Sequence, residues 1–320
     1  MKLYPLQFEP ILKDRIWGGT KLKTYLNKPI FSEITGESWE ISTVENDVSV
    51  IANGFFKGKS LNEIISEFPK EVLGTKVYEQ FGKQFPLLFK YLDAREDLSI
   101  QVHPNDELAA KRHNSFGKTE MWYVMQADEN TRLIVGFKEK SSPNEYLKSL
   151  ENKTIIDILD TKKVKKGDVF FLETGTVHAI GAGTVIAEIQ QTSDITYRLY
   201  DFDRVDNQGN TRELHIDLAL DAINYNVVEA QKDYSKVVNC SNEMVNCPYF
   251  TTNFIPLDGK IEVKKDKKSF TVYMCVEGNF ELEYKGESYT YKTGDTVLVP
   301  AEMALFKING KASLLEIYIS

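Results

Sequence analysis

The stretch KKGDVFFLETGTVHAI, residues 165–180, decides the fold, because its alternation and its Gly-Asp pair predict a strand, a tight turn and a second strand. It can be laid over YKTGDTVLVPAEMALFKI, residues 291–308, so that Gly167 falls on Gly294. Repetition of a strand–turn–strand unit about 130 residues apart indicates a duplicated β architecture. The sequence therefore predicts a mainly β protein made of two barrel-like units.

The two copies differ where chemistry is expected. The strand EMWYVMQA, which begins at Glu120, overlays TVYMCVEG, which begins at Thr271, and His178 falls on Leu305. The second copy therefore lacks this carboxylate and this imidazole. We expect the first copy to keep polar functional side chains in its interior. In the second copy we expect apolar side chains that pack in the core at these positions.

Elsewhere, short segments rich in β-branched and aromatic residues predict further strands, and capped amphipathic segments predict helices. The expected strands include 98–103, 120–125, 168–173, 270–277 and 312–320. The expected helices are 60–68, 105–113, 142–150 and 211–224, which we interpret as a helical insertion and connector helices. We place a boundary between a unit of residues 1–235 and a second unit of residues 236–320.

Composition narrows the function. The chain has 320 residues, 42% of them hydrophobic, and its formal net charge of −8 disfavours nucleic acid or an anionic membrane as a partner. No signal peptide or apolar span is visible, so we expect a cytoplasmic protein, a monomer or weak homodimer with a small-molecule partner. The three cysteines match no zinc or redox pattern and are interpreted as buried apolar residues.

Imidazole chemistry must come from four histidines. Strand parity places Gln101 and His103 on one face of their strand, and His178 opens another strand after a glycine turn. If these strands line one barrel with Glu120, two imidazoles, a carboxylate and an amide oxygen converge. Such a set suits zinc with an open coordination position, and iron is the competitor on ligand count alone.

The spacing of Gly167, Gly175 and His178, with Gln101-x-His103 and Glu120 upstream, resembles the paired motifs of the cupin superfamily, although Glu173 stands where proline is usual. Six blocks extend the resemblance to type I mannose-6-phosphate isomerases, short bacterial form. They are KDRIWGGTKL (13–22), TGESWEIS (35–42), SIQVHPND (99–106), GKTEMWYV (117–124), GTVHAI (175–180) and EIQQTSDITYRLYDFDR (188–204). This resemblance implies a jelly-roll cupin fold in both units and a zinc-dependent interconversion of mannose 6-phosphate and fructose 6-phosphate.

The resemblance also implies roles for individual residues. The implied ligands of one Zn²⁺ per chain are His103, Glu120 and His178, with Gln101 as a less uniform fourth. Arg198 matches the active-site arginine of the family. The implied pocket also includes Lys118 and Glu188, which with Arg198 form the catalytic candidates, and Arg204 and Trp17, which with Lys118 form the substrate-binding candidates.

Several alternatives stay open at this level. The group that removes the substrate proton is a metal-bound hydroxide, Glu188, Lys118 or a histidine outside the ligand set. A sugar-phosphate-binding cupin that acts as a sensor is the rival function, and an iron oxygenase is disfavoured because it would not explain the basic residues. His113 is interpreted as a surface residue at a helix end, and His215 as a candidate at the pocket rim.

Overall fold

A computed structural model describes residues 3–205 and 208–320, and the mainly β class is confirmed. The described residues contain twenty strands: β1 Ile11–Gly19, β2 Thr35–Ile41, β3 Thr43–Val44, β4 Asp47–Val48, β5 Leu87–Ala94, β6 Ile100–Val102, β7 Glu120–Ala127, β8 Arg132–Phe137, β9 Leu159–Lys163, β10 Val169–Leu172, β11 His178–Ile180, β12 Thr184–Gln191, β13 Tyr197–Tyr200, β14 Gln231–Lys232, β15 Asn242–Asn246, β16 Thr251–Lys264, β17 Thr271–Tyr284, β18 Glu287–Lys292, β19 Thr296–Val299 and β20 Leu305–Tyr318.

The helices of the described residues are short and lie between strands. They are α1 Lys21–Thr24, α2 Leu61–Glu67, α3 Pro69–Leu73, α4 Thr75–Phe81, α5 Asp106–His113, α6 Pro143–Glu151, α7 Ile155–Ile158 and α8 Ile216–Leu220. The sequence offers Asn105 or Asp106 as the cap of α5, and it is Asn105 that accepts a hydrogen bond from the Leu108 amide. The predicted helix 211–224 is wrong in extent, since only 216–220 is helical.

Three antiparallel sheets form the scaffold. Sheet I has the order β1-β2-β5-β12-β7-β10-β14, and sheet II has the order β13-β6-β11-β8-β9. Sheet III has the order β15-β16-β20-β17-β18, with β19 also paired to β17. Sheets I and II use strands up to Lys232, and sheet III begins at Asn242. The division of the chain at residues 235 and 236 stays a prediction.

The strand pairs β7–β10 and β17–β19, which contain the segments of the sequence overlay, share the same register. In sheet I Glu120 lies opposite Leu172, and in sheet III Thr271 lies opposite Val299. The turns that precede β10 and β19 each contain a glycine at positive φ, Gly167 and Gly294, followed by an aspartate. In each turn a carboxylate oxygen of that aspartate accepts the amide hydrogen of the residue three positions earlier, at 2.9 Å in the first and 2.8 Å in the second. The two segments therefore correspond in structure as well as in sequence.

Sheets I and III share one hydrophobic core. Phe89 and Tyr91 of β5 belong to the same buried cluster as Phe270, Val272 of β17 and Leu315 of β20. The opposite side of sheet I faces sheet II through a separate cluster around Trp122 of β7 and Ile180 of β11. Sheet I is therefore the middle layer, and its face toward sheet II is the one available for a site between two β layers.

Two expectations from the sequence need correction. Of the three cysteines, only Cys275 is buried, while Cys240 is exposed and Cys247 is intermediate. Leu305, the counterpart of His178, is 54% exposed, because it opens β20 at the rim of sheet III, so its position is not converted to packing. In the described parts of the chain, every helix is too short or too polar to span a bilayer.

Candidate active site

Three strands bring the predicted metal ligands together. Glu120 opens β7 of sheet I, while His178 opens β11 of sheet II and lies opposite Gln101 of β6. His103 follows directly after β6. One ligand atom from each of His103, Glu120 and His178 lies within 4.8 Å of the others, and all three side chains are buried. The two sheets thus hold a compact set of donors that is suitable for a divalent cation.

Backbone carbonyl groups set the protonation of both imidazoles. His103 Nδ1 lies 2.9 Å from the Ile195 carbonyl oxygen, and His178 Nδ1 lies 2.8 Å from the Thr176 carbonyl oxygen. A carbonyl only accepts, so each Nδ1 carries the hydrogen and each Nε2 keeps its lone pair. Burial is also the main cause that lowers the pKa of both rings, that of His178 to about 4. Both histidines are therefore neutral ligands near neutral pH.

The Glu120 carboxylate is the feature that fits a cation best. Its Oε1 is buried without a hydrogen-bond partner among the described residues, and it lies 3.5 Å from His178 Nε2. Burial raises the pKa of Glu120 to about 7, although the Lys118 ammonium opposes this rise. An orphaned carboxylate oxygen beside two imidazole lone pairs is what a divalent ion would satisfy, so the residues fit a zinc ion.

Gln101 approaches the same point from the cavity side. Its amide nitrogen lies 3.3 Å from His178 Nε2. Because the oxygen and nitrogen of an amide are interchanged by a half-turn of the side chain, Oε1 can take the same place as a ligand. The strand parity read from the sequence is thus reproduced, with Ile100 and Val102 buried in a core cluster on the other face.

A cavity of about 610 Å³ borders this cluster. Gln101 and Lys118 separate the metal-ligating atoms from its interior, since both residues line the cavity and contact His178 and His103 respectively. Trp17, Glu188 and Arg198 of the sequence prediction also line it. Arg204 does not, and Arg212 takes a place in the wall instead.

Lys118 connects the metal-ligand cluster to the cavity wall. Its Nζ lies 2.9 Å from His103 Nε2, is hydrogen-bonded to Glu120, and lies 3.7 Å from Glu188 Oε1. Burial would lower the pKa of Lys118, but Glu120 and Glu188 raise it more. Burial would raise the pKa of the Glu188 carboxyl, but the charges of Lys90 and Lys118 hold it below its ordinary value. Lys118 is therefore a buried cation, and Glu188 a buried anion.

Sequence reasoning missed a second charged group in the same wall. Lys90 of β5 lies 3.2 Å from Glu188 and 5.0 Å from the centre of the Trp39 ring. Glu37 of β2 accepts hydrogen bonds from Arg15 at 2.8 Å and from the Trp39 indole. The sequence contained a signal for Lys90, which stands inside the largely apolar segment LLFKYLDA at 87–94, whereas Glu37 lies in the mixed segment TGESWEI at 35–41. Only the strand pairing shows that they meet.

Arg198 is anchored by the segment that precedes α8. Its amide donates to His215 Nδ1 at 3.1 Å, the His215 amide donates back to its carbonyl at 2.7 Å, and Nη1 donates to the Glu213 carbonyl at 2.8 Å. Burial is the main cause that lowers the pKa of this guanidinium, followed by the charge of Arg212. Its Nε is buried without a hydrogen-bond partner in the described chain. The side chain is thus held in place with donor capacity to spare.

The remaining residues of the prediction lie around this core. Arg204 and Arg212 both bind the Asp201 carboxylate. Asp201 therefore connects Arg204, which was predicted from the sequence, to Arg212, which lines the cavity. His113 is exposed, and its Nε2 lies 2.8 Å from the Tyr197 hydroxyl. His215 contacts the backbone of Arg198 and does not line the cavity.

The fold and the site together define a class. Antiparallel β layers enclose two imidazoles and a carboxylate beside a cavity walled by buried lysine and glutamate and by half-buried arginine side chains, an arrangement suited to an enzyme that acts on a small polar molecule.

Comparison with known proteins identifies the family. Residues 5–132 match the family model of the type I phosphomannose isomerase catalytic domain, and residues 241–319 match the mannose-6-phosphate isomerase cupin domain. The chain is 37% identical to the mannose-6-phosphate isomerase ManA of Bacillus subtilis over 98% of both chains. It is 36% identical to the mannose-6-phosphate isomerase of Streptococcus mutans over 97% of both. The chain belongs to the type I phosphomannose isomerase family.

A solved structure supports the same conclusion. The crystal structure of the mannose 6-phosphate isomerase from Bacillus subtilis superimposes with a TM-score of 0.91 at 36% identity, over 98% of this chain and 99% of that one. The predictions of a mainly β cupin protein, of an isomerase and of this family are confirmed.

Proposed function

We propose that this chain interconverts mannose 6-phosphate and fructose 6-phosphate with one zinc ion held by His103, Glu120 and His178, and with Gln101 as a fourth ligand. The observation that carries the proposal is the orphaned Glu120 oxygen between two neutral imidazoles, beside a cavity with buried basic groups. When bound, zinc supplies positive charge next to the reacting oxygens of the sugar. All other steps are assigned to side chains of this chain.

The cavity has separate groups for the two ends of the substrate. Arg198 and Arg212 line the cavity, and their guanidinium groups are suited to an anionic phosphate because they donate charge-assisted hydrogen bonds. Arg204 supports Arg212 by sharing Asp201 with it. Trp17 provides an apolar wall for the sugar ring or chain. Binding energy from the phosphate then orients the reacting carbons at the inner end.

Glu188 and Lys118 are the pair that we assign to the proton transfer. Glu188 accepts the proton from C2 of the open-chain aldose, and the C–H electron pair becomes the C1–C2 double bond while negative charge develops on the C1 oxygen. Lys118 is a cation beside that charge and stabilises it. The hydroxyl proton at O2 then moves to O1 and the C2=O bond forms, while the C1–C2 electron pair takes the proton from Glu188 at C1, which yields the ketose.

An isotope experiment tests the function. Purified zinc-loaded protein is incubated with mannose 6-phosphate in D₂O, and formation of fructose 6-phosphate and deuterium at C1 are followed by NMR. We expect product with partial deuteration, because a protonated Glu188 exchanges with solvent between the two transfers. Binding of the substrate without product would favour the sensor function instead.

A further inference from the structure

Sheet III contains a register counterpart of the active-site wall. In sheet I Glu188 lies opposite Lys90 on one side and Trp122 on the other. In sheet III Glu316 lies opposite Asn253 on one side and Tyr273 on the other. The strand pairs that contain Glu120 and Thr271 also share one register. Strands β5, β12 and β7 therefore correspond to β16, β20 and β17, respectively. The second unit has therefore kept a carboxylate at the position of Glu188, which sequence overlay alone did not detect.

These counterpart positions also face a cavity. Its volume is about 820 Å³, and its wall includes Asn253, Ser269, Thr271 and Glu316. These four residues occupy the positions that Lys90, Lys118, Glu120 and Glu188 have in the first unit. Lys90, Lys118 and Glu188 line the first cavity, and Glu120 belongs to the metal-ligand cluster. The same end of both β units thus encloses a hollow lined by the same strand positions.

The charge of the two hollows is different. Glu316 is only 9% exposed, and its carboxylate accepts hydrogen bonds from Tyr273 at 2.9 Å, Ser241 at 2.7 Å and Asn253 at 3.0 Å. In the described residues no lysine or arginine nitrogen lies within 4 Å of it. Neutral donors have therefore replaced the two lysines that flank Glu188. A carboxylate held by three neutral donors retains acceptor capacity for a further hydroxyl.

Four lysines line this cavity; Lys264 and Lys268 are exposed, whereas Lys76 and Lys265 are bound to main-chain oxygens. Lys265 Nζ donates to the carbonyl oxygens of Ser269, Val299 and Pro300 at 3.2–3.4 Å. Lys76 Nζ donates to an oxygen of Ser320 at 2.6 Å. A phosphate would therefore meet an anionic Glu316 at the inner end, with these two ammonium groups bound to main-chain oxygens. Around Glu316 the chemistry of the wall favours a ligand group without negative charge.

We propose that this cavity, lined by Thr271 and Glu316, is a second ligand site that binds a neutral polyhydroxylated molecule of the monosaccharide or sugar-alcohol class. The Glu316 carboxylate accepts hydrogen bonds from hydroxyl groups, and Thr271 offers a hydroxyl that both donates and accepts. Ile255 and Ile261 line the same hollow and pack against the C–H face of such a ligand. The site is independent of the activity assigned above.

Binding measurements on the full-length, zinc-loaded protein test this site. D-mannose, D-fructose and D-mannitol are titrated by calorimetry and by saturation-transfer NMR, with mannose 6-phosphate as a separate arm. We expect saturable binding of at least one neutral probe. Thr271→Val, which removes only a hydroxyl, should weaken it by roughly 2–10-fold, the effect of one hydrogen bond. Ile261→Trp, which fills the cavity from its rim, should abolish it.

Glu188→Gln serves as the matched variant of the other cavity and should leave binding of the neutral probe unchanged. Loss of binding in Glu188→Gln with retention in Thr271→Val and Ile261→Trp would place the ligand in the first cavity and overturn the proposal. Absence of saturable binding for all three neutral probes would overturn it as well, as would a preference of this site for mannose 6-phosphate. Circular dichroism checks that each variant is folded. If Ile261→Trp does not fold, the loss of affinity in Thr271→Val decides whether the probe binds in this cavity.

Discussion

The wall of sheet I and its counterpart in sheet III use the same strand register for different purposes. In sheet I two carboxylates and two lysines are buried together, so each charge has a partner of opposite sign. In sheet III one carboxylate remains, and neutral hydroxyl and amide groups satisfy it. A buried charge is tolerated only when it is paired or fully hydrogen-bonded. The comparison teaches that this β scaffold accepts two different solutions to that requirement.

The connections that lead into the equivalent strands β7 and β17 differ as well. Between β6 and β7 lie residues 103–119, which include α5 and begin with His103. Between β16 and β17 lie only residues 265–270. The longer connection of the first region carries an imidazole and Lys118 to the end of β7. The shorter one of the second region contains no histidine, and Ser269 stands at the position of Lys118.

The largest expected effect separates the two regions at one equivalent position. His178→Ala should remove bound zinc and abolish turnover, because the cluster loses one of three donors. His103→Ala should do the same. Leu305→Ala, at the counterpart of His178, should keep both, since Leu305 is exposed and lies outside both cavities. Zinc content by mass spectrometry and initial rates measure this. Full zinc and normal turnover in His178→Ala would contradict the ligand assignment.

The next effect concerns the buried cation that sheet III lacks. Lys118→Met should lower kcat by roughly 10²–10³-fold, because it removes a preorganised charge beside the developing oxyanion. Lys111→Met on the exposed side of α5 is the matched control and should behave as the unmodified chain does. Steady-state kinetics on zinc-matched samples measure the difference. Equal kcat in the two variants would remove Lys118 from the mechanism.

A core substitution in sheet III should affect stability and leave chemistry intact. Leu282 is fully buried in the cluster on the outer side of sheet III. Leu282→Ala should lower the free energy of unfolding by about 2–5 kcal/mol, the range for a buried leucine that leaves a cavity. Urea denaturation measures the loss, and kcat is compared at a temperature where both proteins are folded. A fall in kcat there would show that sheet III takes part in the reaction.

The smallest effect is a change in the pH dependence of stability. Although burial would raise the pKa of Glu37, the charges of Lys90 and Arg15 and hydrogen bonds from Arg15 and Trp39 lower it to about 2. The unfolded chain takes up this proton first as the pH falls, so the contribution of Glu37 is present above about pH 4.5 and is lost toward pH 2.

Glu37→Gln should therefore flatten that dependence by up to about 1.4 kcal/mol per pH unit within this window. Urea denaturation of both proteins at several pH values between 2 and 7 provides the measurement. Parallel stability curves across the acid window would mean that the Glu37 carboxylate has no favourable pairing in the folded state.

The sequence alone predicted the duplicated strand–turn–strand unit, the parity of Gln101 and His103 and a helix cap at Asn105 or Asp106. Each depends on alternation or on contacts within a few residues along the chain, so local spacing carries the information. The helix at 211–224 was overestimated because periodicity there persists beyond the residues that form backbone hydrogen bonds.

The features that only the tertiary structure decided depend on pairs far apart in sequence. The partnership of Lys90 with Glu188 and the match between Glu188 and Glu316 follow from strand register, and the contact of His103 with the Ile195 carbonyl joins residues 92 apart. A register joins segments a hundred residues apart, and a shift of one residue would turn every side chain to the other face. Residue types and spacing therefore determined the kind of chemistry, whereas sheet pairing determined which charges meet and which remain alone.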